Sequence, residues 1–411
     1  MQIRQLITAG VLTALLAACQ SGGPSEEREA RKVLDPSNMD TTVKPGDNFF
    51  LYANGARLKK DTIPADQTRW GSFDELRENN YKVLHALLDA VADEDGASPG
   101  SREQKVGDFY RSGMDSVAIN NDGTASIEDI LNRIAALKTA RDVLREVAIE
   151  QTEGRSPLFG FYVSPDDKDV TREISQFHQG GLGLPDRDYY FEKDSRTAQI
   201  RDAYKVFQAR LFMLLGDDSS IAPKDAAEVY KLEEALAAAS LTRVERRNRY
   251  KVYNKFSIAD LDKVAPGTDW KMLLEILRVQ GEDSLLIRPP AFYKEMGRQL
   301  SVTPVDVWKK YLVFHLVKDM APYLPDSFGD ATFAFYGRTV RGQQEQPPRW
   351  KRVLKEVDES IGELIGQLYV DKHFKPEAKE RMLELVGNLQ QSYAERIQQL
   401  DWMSDETKKK A

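Results

Sequence analysis

The stretch NNYKVLHALLDAVA places Val83, Leu84, Leu87, Leu88 and Val91 at helical spacing. That period puts them on one stripe of an α-helix and predicts a buried face. The same period runs through RMLELVGNLQQSYAERIQQL, where Met382, Leu383, Leu385, Val386 and Leu389 lead on to Tyr393, Ile397 and Leu400. Helix starts are marked by capping-box variants at Ser126 with Asp129 and Thr139 with Asp142, and the device repeats in SIADL at Ser257. TPVDVWKKYLVFHLV adds Pro304 at the first helical position, where a missing N–H costs nothing. Strand signals are few. PLFGFYVSP, Pro157 to Pro165, is a short aromatic and β-branched run bounded by turn residues and reads as a strand. QGGLGLPDRDYYF is too rich in glycine and proline for an element and reads as a structured loop. No internal repeat is present. The pattern predicts a mainly α body of one or two joined lobes with few short strands.

The end of the chain, LDWMSDETKKKA, is a helix start. Ser404 is a good N-cap, and Asp405 and Glu406 follow where the helix dipole favours negative charge. Few residues remain after the cap, so the body of this helix is expected beyond Ala411. The beginning reads as a leader. MQIRQLITAGVLTALLAACQ carries Arg4 and then an apolar run to Ala18, too short for a comfortable membrane span. Leu16-Ala17-Ala18-Cys19 resembles the bacterial lipoprotein cleavage box, with cleavage before the cysteine that is then lipidated. Residues 1–18 are therefore expected to be a lipoprotein signal peptide, with Cys19 the lipidation site. Residues 19–45, beginning CQSGGPSEEREARK, are expected to form a polar tether. Gln20 after the cysteine implies export to the outer membrane, facing the periplasm or the cell surface.

Composition narrows the class. The chain has 411 residues, 41% hydrophobic and 30% charged, which fits a folded protein with a sizeable core. A net charge of −7 argues against a nucleic-acid surface. The basic run RVERRNR reads as a solvated helical face. A single cysteine excludes internal disulfides.

Catalytic chemistry is not evident. The four histidines, His85, His178, His315 and His373, are far apart, and none forms the His-Glu-x-x-His pair that places two zinc ligands on one helix face. His85 and His315 lie within apolar helical runs and read as packing residues, and His373 as exposed. Neither a phosphate loop nor a G-x-S-x-G elbow is present.

The motifs KPGDNFFLYANGARLKKDTIPADQTRWGSFDELRENN, KVGDFYRSGMD, FGFYVSPDDKD, QGGLGLPDRDYYF, LTRVERRNRYKVYNKFS, PPRWKRVLKEV, GQLYVDKHF and LDWMSDETKKKA occur in this order over nearly the whole mature chain. Together they resemble the neprilysin and endothelin-converting-enzyme family of zinc metallopeptidases, N-terminal region only. The resemblance implies a multi-helical lid region, residues 46–411, without the zinc-bearing catalytic lobe. In the family a His-Glu-x-x-His pair, a later Glu and a water bind zinc, and the substrates are oligopeptides. No cofactor is expected in this chain, while zinc is expected in the full-length family member. In RWGSFDELR, Arg69 and Arg77 match the positions where the family places two arginines at the primed side of the substrate cleft. A guanidinium fork suits a peptide's terminal carboxylate; the alternative is that both make surface or interlobe ion pairs. LPDRDYY reads as a turn fixed by Asp186, Arg187 and Asp188. RRNRYKVYNK reads as an anchor between lobes through Arg246, Arg247 and Asn254, and Trp350 as core or interface. The chain departs from the family pattern at Arg57 and at Asn248, the latter putting a salt bridge in doubt.

The resemblance implies the N-terminal portion of a metalloendopeptidase, inactive alone and partnered by the absent catalytic lobe, which would leave apolar faces exposed. A non-catalytic lipoprotein that binds peptides or a partner is the alternative, and a helical scaffold the third reading.

Overall fold

A computed structural model describes residues 34–411 apart from Asp95. The expected signal peptide, Cys19 and the first part of the expected tether lie outside the described residues. The chain divides into two units, one ending at Ile63 and one running from Pro64 to Ala411.

In the first unit, helix α1 (Phe49–Lys60) starts at Asn48, whose side chain accepts the Leu51 N–H at 3.0 Å. The end of the expected tether is ordered against it. A 3-10 turn spans Pro36–Asn38, and the Asp40 N–H donates to the Tyr52 carbonyl at 2.8 Å. The Asp40 carboxylate accepts from Lys59 Nζ at 2.7 Å and from the Thr42 N–H at 3.1 Å. These bonds, Lys59 first, pull it down to about 2. Gly55 permits the approach, because a Cβ there would lie 2.6 Å from Asp40 Cβ. Arg57, the departure noted above, pairs with Asp61 at 2.7 Å.

The longer helices of the second unit are α2 (Ser72–Ala92), α3 (Arg102–Met114), α4 (Glu128–Ala135), α5 (Ala140–Thr152), α6 (Ser195–Leu214), α7 (Ala222–Ala238), α8 (Pro290–Val302), α9 (Val305–Met320), α10 (Arg349–His373) and α11 (Pro376–Gln398). Helices α2, α3 and α10 enclose a small core. Leu84, Leu87, Leu88 and Val91, the stripe read from the sequence, meet Val106, Tyr110, Leu354 and Val357 there. Gly107 lets α3 cross α2 closely, since a Cβ would lie 2.5 Å from the Val91 carbonyl oxygen.

A larger core gathers α4 to α9 and one mixed sheet. The sheet runs β1 (Phe159–Asp166), β2 (Asp169–Gln179), β4 (Ser284–Arg288), β3 (Lys255–Ser257) in spatial order. Strands β1 and β2 form an antiparallel hairpin, β2 and β4 pair in parallel, and β3 pairs antiparallel with β4. The strand read in PLFGFYVSP is thus β1. Phe159 and Phe177 from the hairpin pack on Tyr293 of α8, and Phe177 meets Trp270 edge-on.

The helix starts divide. Thr139 and Asp142 form a complete capping box on α5. Ser126 does not cap: it lies inside a 3-10 turn, Ala125–Ile127, that runs directly into α4. Ser257 precedes a 3-10 turn, and its hydroxyl donates to Asp260 at 2.7 Å instead of accepting from the backbone. Pro304 stands one position earlier than expected, as the N-cap of α9. Ser404 does cap its helix, Asp405–Lys410, accepting the Thr407 N–H at 3.2 Å. Helix α11 forms where the period placed it, yet none of its residues is buried. Met382, Leu383, Leu385, Val386, Leu389 and Tyr393 are each at least 45% exposed.

Candidate substrate-binding site

Helix α2 opens with Ser72, Phe73 and Asp74, and Asp74 lies in its first turn, where the positive end of the dipole favours a carboxylate. One turn later Arg77 reaches back, and its Nη2 donates to Asp74 Oδ1 at 2.7 Å. Arg69, three residues before the helix, brings its Nε to 3.5 Å from the same oxygen. The structure therefore joins the two arginines singled out in the sequence through a carboxylate that is only 8% exposed. Two cations share one anion, so the cluster keeps a net positive charge. The Arg69 side chain is 78% exposed and that of Arg77 39%. A guanidinium has five N–H donors in a planar fork, and Asp74 uses a fraction of them. Both forks can still receive an anion bidentately.

The segment leading to Arg69 is pinned. Lys351 on α10 donates to Asp66 at 2.9 Å and to Glu78 on α2 at 2.8 Å. Burial alone would lower the Lys351 ammonium, but its bonds to Glu78 and Asp66 outweigh that and raise it. The Gln344 and Glu345 N–H groups both reach the Ala65 carbonyl. Asp74 was not singled out from the sequence. Its position three residues before Arg77, at a helix start, is the signal that identifies it.

The other matched segments are structural. In LPDRDYY the Asp188 N–H donates to Asp186 Oδ1 at 2.9 Å, and Arg187 reaches the Ala237 carbonyl at 3.3 Å. Buried Tyr190 donates to Glu233 Oε2 at 3.0 Å. Glu233 is also bonded to Tyr204 at 2.8 Å and faces His315 Nε2 at 2.9 Å. Burial pushes Glu233 up to about 8, against the opposing bonds from Tyr204 and Tyr190. It also holds His315 well below its usual range, with Lys318 adding repulsion. His85 stacks on Trp350 with ring centroids 4.0 Å apart. His178 stacks on Tyr162 and is lowered to about 4 by burial. Arg246 and Arg247 are exposed and make no ion pair among the described residues. Asn254 instead ties strands together, its carbonyl accepting the Ile287 N–H at 3.0 Å. Asn248 caps the short helix Arg249–Val252, accepting from the Tyr250 and Lys251 N–H groups.

Among the described residues no three His, Cys, Asp or Glu side chains come together as metal ligands. Residues 45–411 match the family model described as Peptidase family M13. The chain belongs to peptidase family M13. It corresponds to the N-terminal region of the neprilysin and endothelin-converting-enzyme metallopeptidases in that family. Human endothelin-converting enzyme 1 is 27% identical over 389 residues, 91% of this chain and 50% of the relative. Rat endothelin-converting enzyme-like 1 is 28% identical over 95% of this chain and 52% of its own length. The chain thus spans about half the length of these curated relatives. Among solved structures, the zinc metalloprotease Zmp1 of Mycobacterium tuberculosis in complex with an inhibitor superposes with a TM-score of 0.81 at 32% identity. That match covers 92% of this chain and 57% of the relative. The same zinc metalloprotease in its open state gives 0.73 at 33% identity, covering 89% of this chain and 57% of that one.

Proposed function

We propose that this chain is the substrate-confining N-terminal region of a zinc metalloendopeptidase that acts on oligopeptides. The observation that carries the proposal is the pair Arg69 and Arg77, set by Asp74 to present two guanidinium forks to a peptide's terminal carboxylate. The zinc chemistry belongs to a His-Glu-x-x-His segment that does not occur in these 411 residues. The purified chain is therefore expected to bind peptides without hydrolysing them. The exposed apolar face of α11 is the surface proposed to receive the catalytic lobe.

The test is fluorescence anisotropy with one labelled oligopeptide, as free acid and as C-terminal amide. The free acid is expected to bind tighter. Arg77→Ala and Arg69→Ala should each remove about tenfold of that affinity, about 1.4 kcal/mol, and leave the amide unchanged. Equal binding of acid and amide would sink the assignment.

The leader pattern supports export and lipid anchoring through Cys19, with the protein held in the outer membrane and facing the periplasm or cell surface. Labelled palmitate should enter the protein in bacterial cells and be lost in Cys19→Ala. Persistence of the label in that variant refutes the anchor.

A further inference from the structure

A cavity of about 390 Å³ opens beside the N-terminus of α10, between that helix and the segment 321–347. One wall is a π-helix, Phe333–Val340, a wide turn that proteins use sparingly and often at functional positions. Four cationic side chains line the cavity, Arg341, Arg349, Arg352 and Lys355, against one carboxylate, Glu356. Arg349 pairs with Asp326 and Lys355 with Glu359 at 3.3 Å, which leaves Arg341 and Arg352 as the lining cations without an ion pair among the described residues. Glu356 is engaged by the Tyr323 hydroxyl, and Arg349 is held by Asp326 at 3.0 Å and the Gly113 carbonyl at 2.9 Å.

Arg352 differs from these. Its Nε is buried and has no hydrogen-bond partner, and its guanidinium makes no ion pair among the described residues. Burial and the neighbouring Arg349 both lower its affinity for its proton, with Asp326 and Asp330 only partly opposing them. A second orphan, the buried Thr332 Oγ1, belongs to the same cavity. A buried polar atom left unbonded is costly, so two in one cavity mark a place built around something they would bind. The remaining wall is apolar, through Phe333, Tyr336 and Val353.

We propose that this cavity is a binding site for a small organic carboxylate with an apolar body. The carboxylate would pair with Arg352 and Arg341, the hydroxyl of Thr332 would donate to it, and the apolar part would lie against Phe333 and Tyr336. A peptide's C-terminal residue and a free aryl or aliphatic acid share this chemistry. The cavity includes neither Arg69 nor Arg77, so the inference stands independently of the proposed peptidase role.

The experiment is titration calorimetry on the purified chain with N-acetylphenylalanine, its amide, a C-terminal phenylalanine tripeptide and inorganic phosphate. N-acetylphenylalanine is expected to bind, the amide at least tenfold more weakly, and phosphate more weakly still. In the Arg69→Ala, Arg77→Ala double variant, tripeptide binding comparable to N-acetylphenylalanine identifies a peptide end as the source, and much weaker tripeptide binding identifies a free acid. Arg352→Gln should lower N-acetylphenylalanine affinity at least tenfold. The exposed Arg341→Ala, which leaves the packing intact, should lower it about threefold. Arg69→Ala with Arg77→Ala should leave it unchanged. The proposal is overturned if no probe binds, if phosphate or the amide binds as well as the acid, or if affinity is lost in the Arg69 and Arg77 variant but not in Arg341→Ala.

Discussion

Replacing Glu233 by alanine is expected to cost about 4 kcal/mol of stability, read by urea unfolding of the purified chain. Glu233 is fully buried on α7, and four side chains converge on it, Gln208 Nε2 at 3.5 Å and three closer ones. Tyr204 from α6 donates at 2.8 Å, Tyr190 at 3.0 Å, and His315 from α9 lies at 2.9 Å. The three closer partners are themselves buried, so truncation leaves each without its bond and without water to replace it. The bond each loses is worth about 1–3 kcal/mol when its buried partner is left unsatisfied. A loss below about 1 kcal/mol would show that the network contributes little to the fold.

The same residue sets a pH dependence. Its carboxyl ordinarily titrates near 4.5 and is raised to about 8 in the fold by burial. The folded state therefore holds more protons than the unfolded state between those values. Stability from this group is complete below about 4.5 and is lost as pH rises through about 8. His315, depressed by burial, acts in the opposite sense, favouring the fold above its usual range and opposing it as pH falls. Glu233→Gln removes the carboxyl titration and should flatten the decline between pH 6.5 and 8. A wild-type stability that does not fall over that interval would mean that the Glu233 carboxyl is not raised in the fold.

Local order was legible where neighbouring residues decide it. Thr139 and Asp142 form the expected capping box, and the Leu84, Leu87, Leu88 and Val91 stripe is buried as its period requires. Ser126 misled because a 3-10 turn needs no side-chain acceptor at that position. Tertiary partners were not legible. His315 reads as a packing histidine, but that its ring would face Glu233, 82 residues away in sequence, is fixed by how α7 meets α9. Helix α11 shows the converse. Its period is as regular as that of α2, yet periodicity says only which residues share a face, not what covers it. The candidate site was half legible. Arg69 and Arg77 came from family likeness, while the carboxylate that unites them follows from local geometry at the start of α2.

Gly181→Ala is expected to destabilise the protein by about 3 kcal/mol, because two separate physical costs meet there. The loop QGGLGL passes between the start of β1 and the buried face of α9. Gly181 has φ +71°, in the left-handed region that a side chain disfavours. An added Cβ would also lie 2.7 Å from the Leu158 carbonyl oxygen and 2.3 Å from the Tyr311 hydroxyl. That hydroxyl is not free to move, since it bridges the Pro157 and Gly181 carbonyls at 2.8 Å each. Relief of the clash therefore breaks the buried hydrogen bond that the single hydroxyl proton shares between the two carbonyls, or shifts backbone. Gly216→Ala separates the two costs. Its φ is +106°, but nothing lies within 4 Å of a Cβ placed there, so only the conformational cost of about 1 kcal/mol applies. Unfolding free energies of the two variants should differ by about 2 kcal/mol. Equal losses would mean that the loop tolerates a side chain at Gly181, and that its glycine is kept for backbone conformation alone.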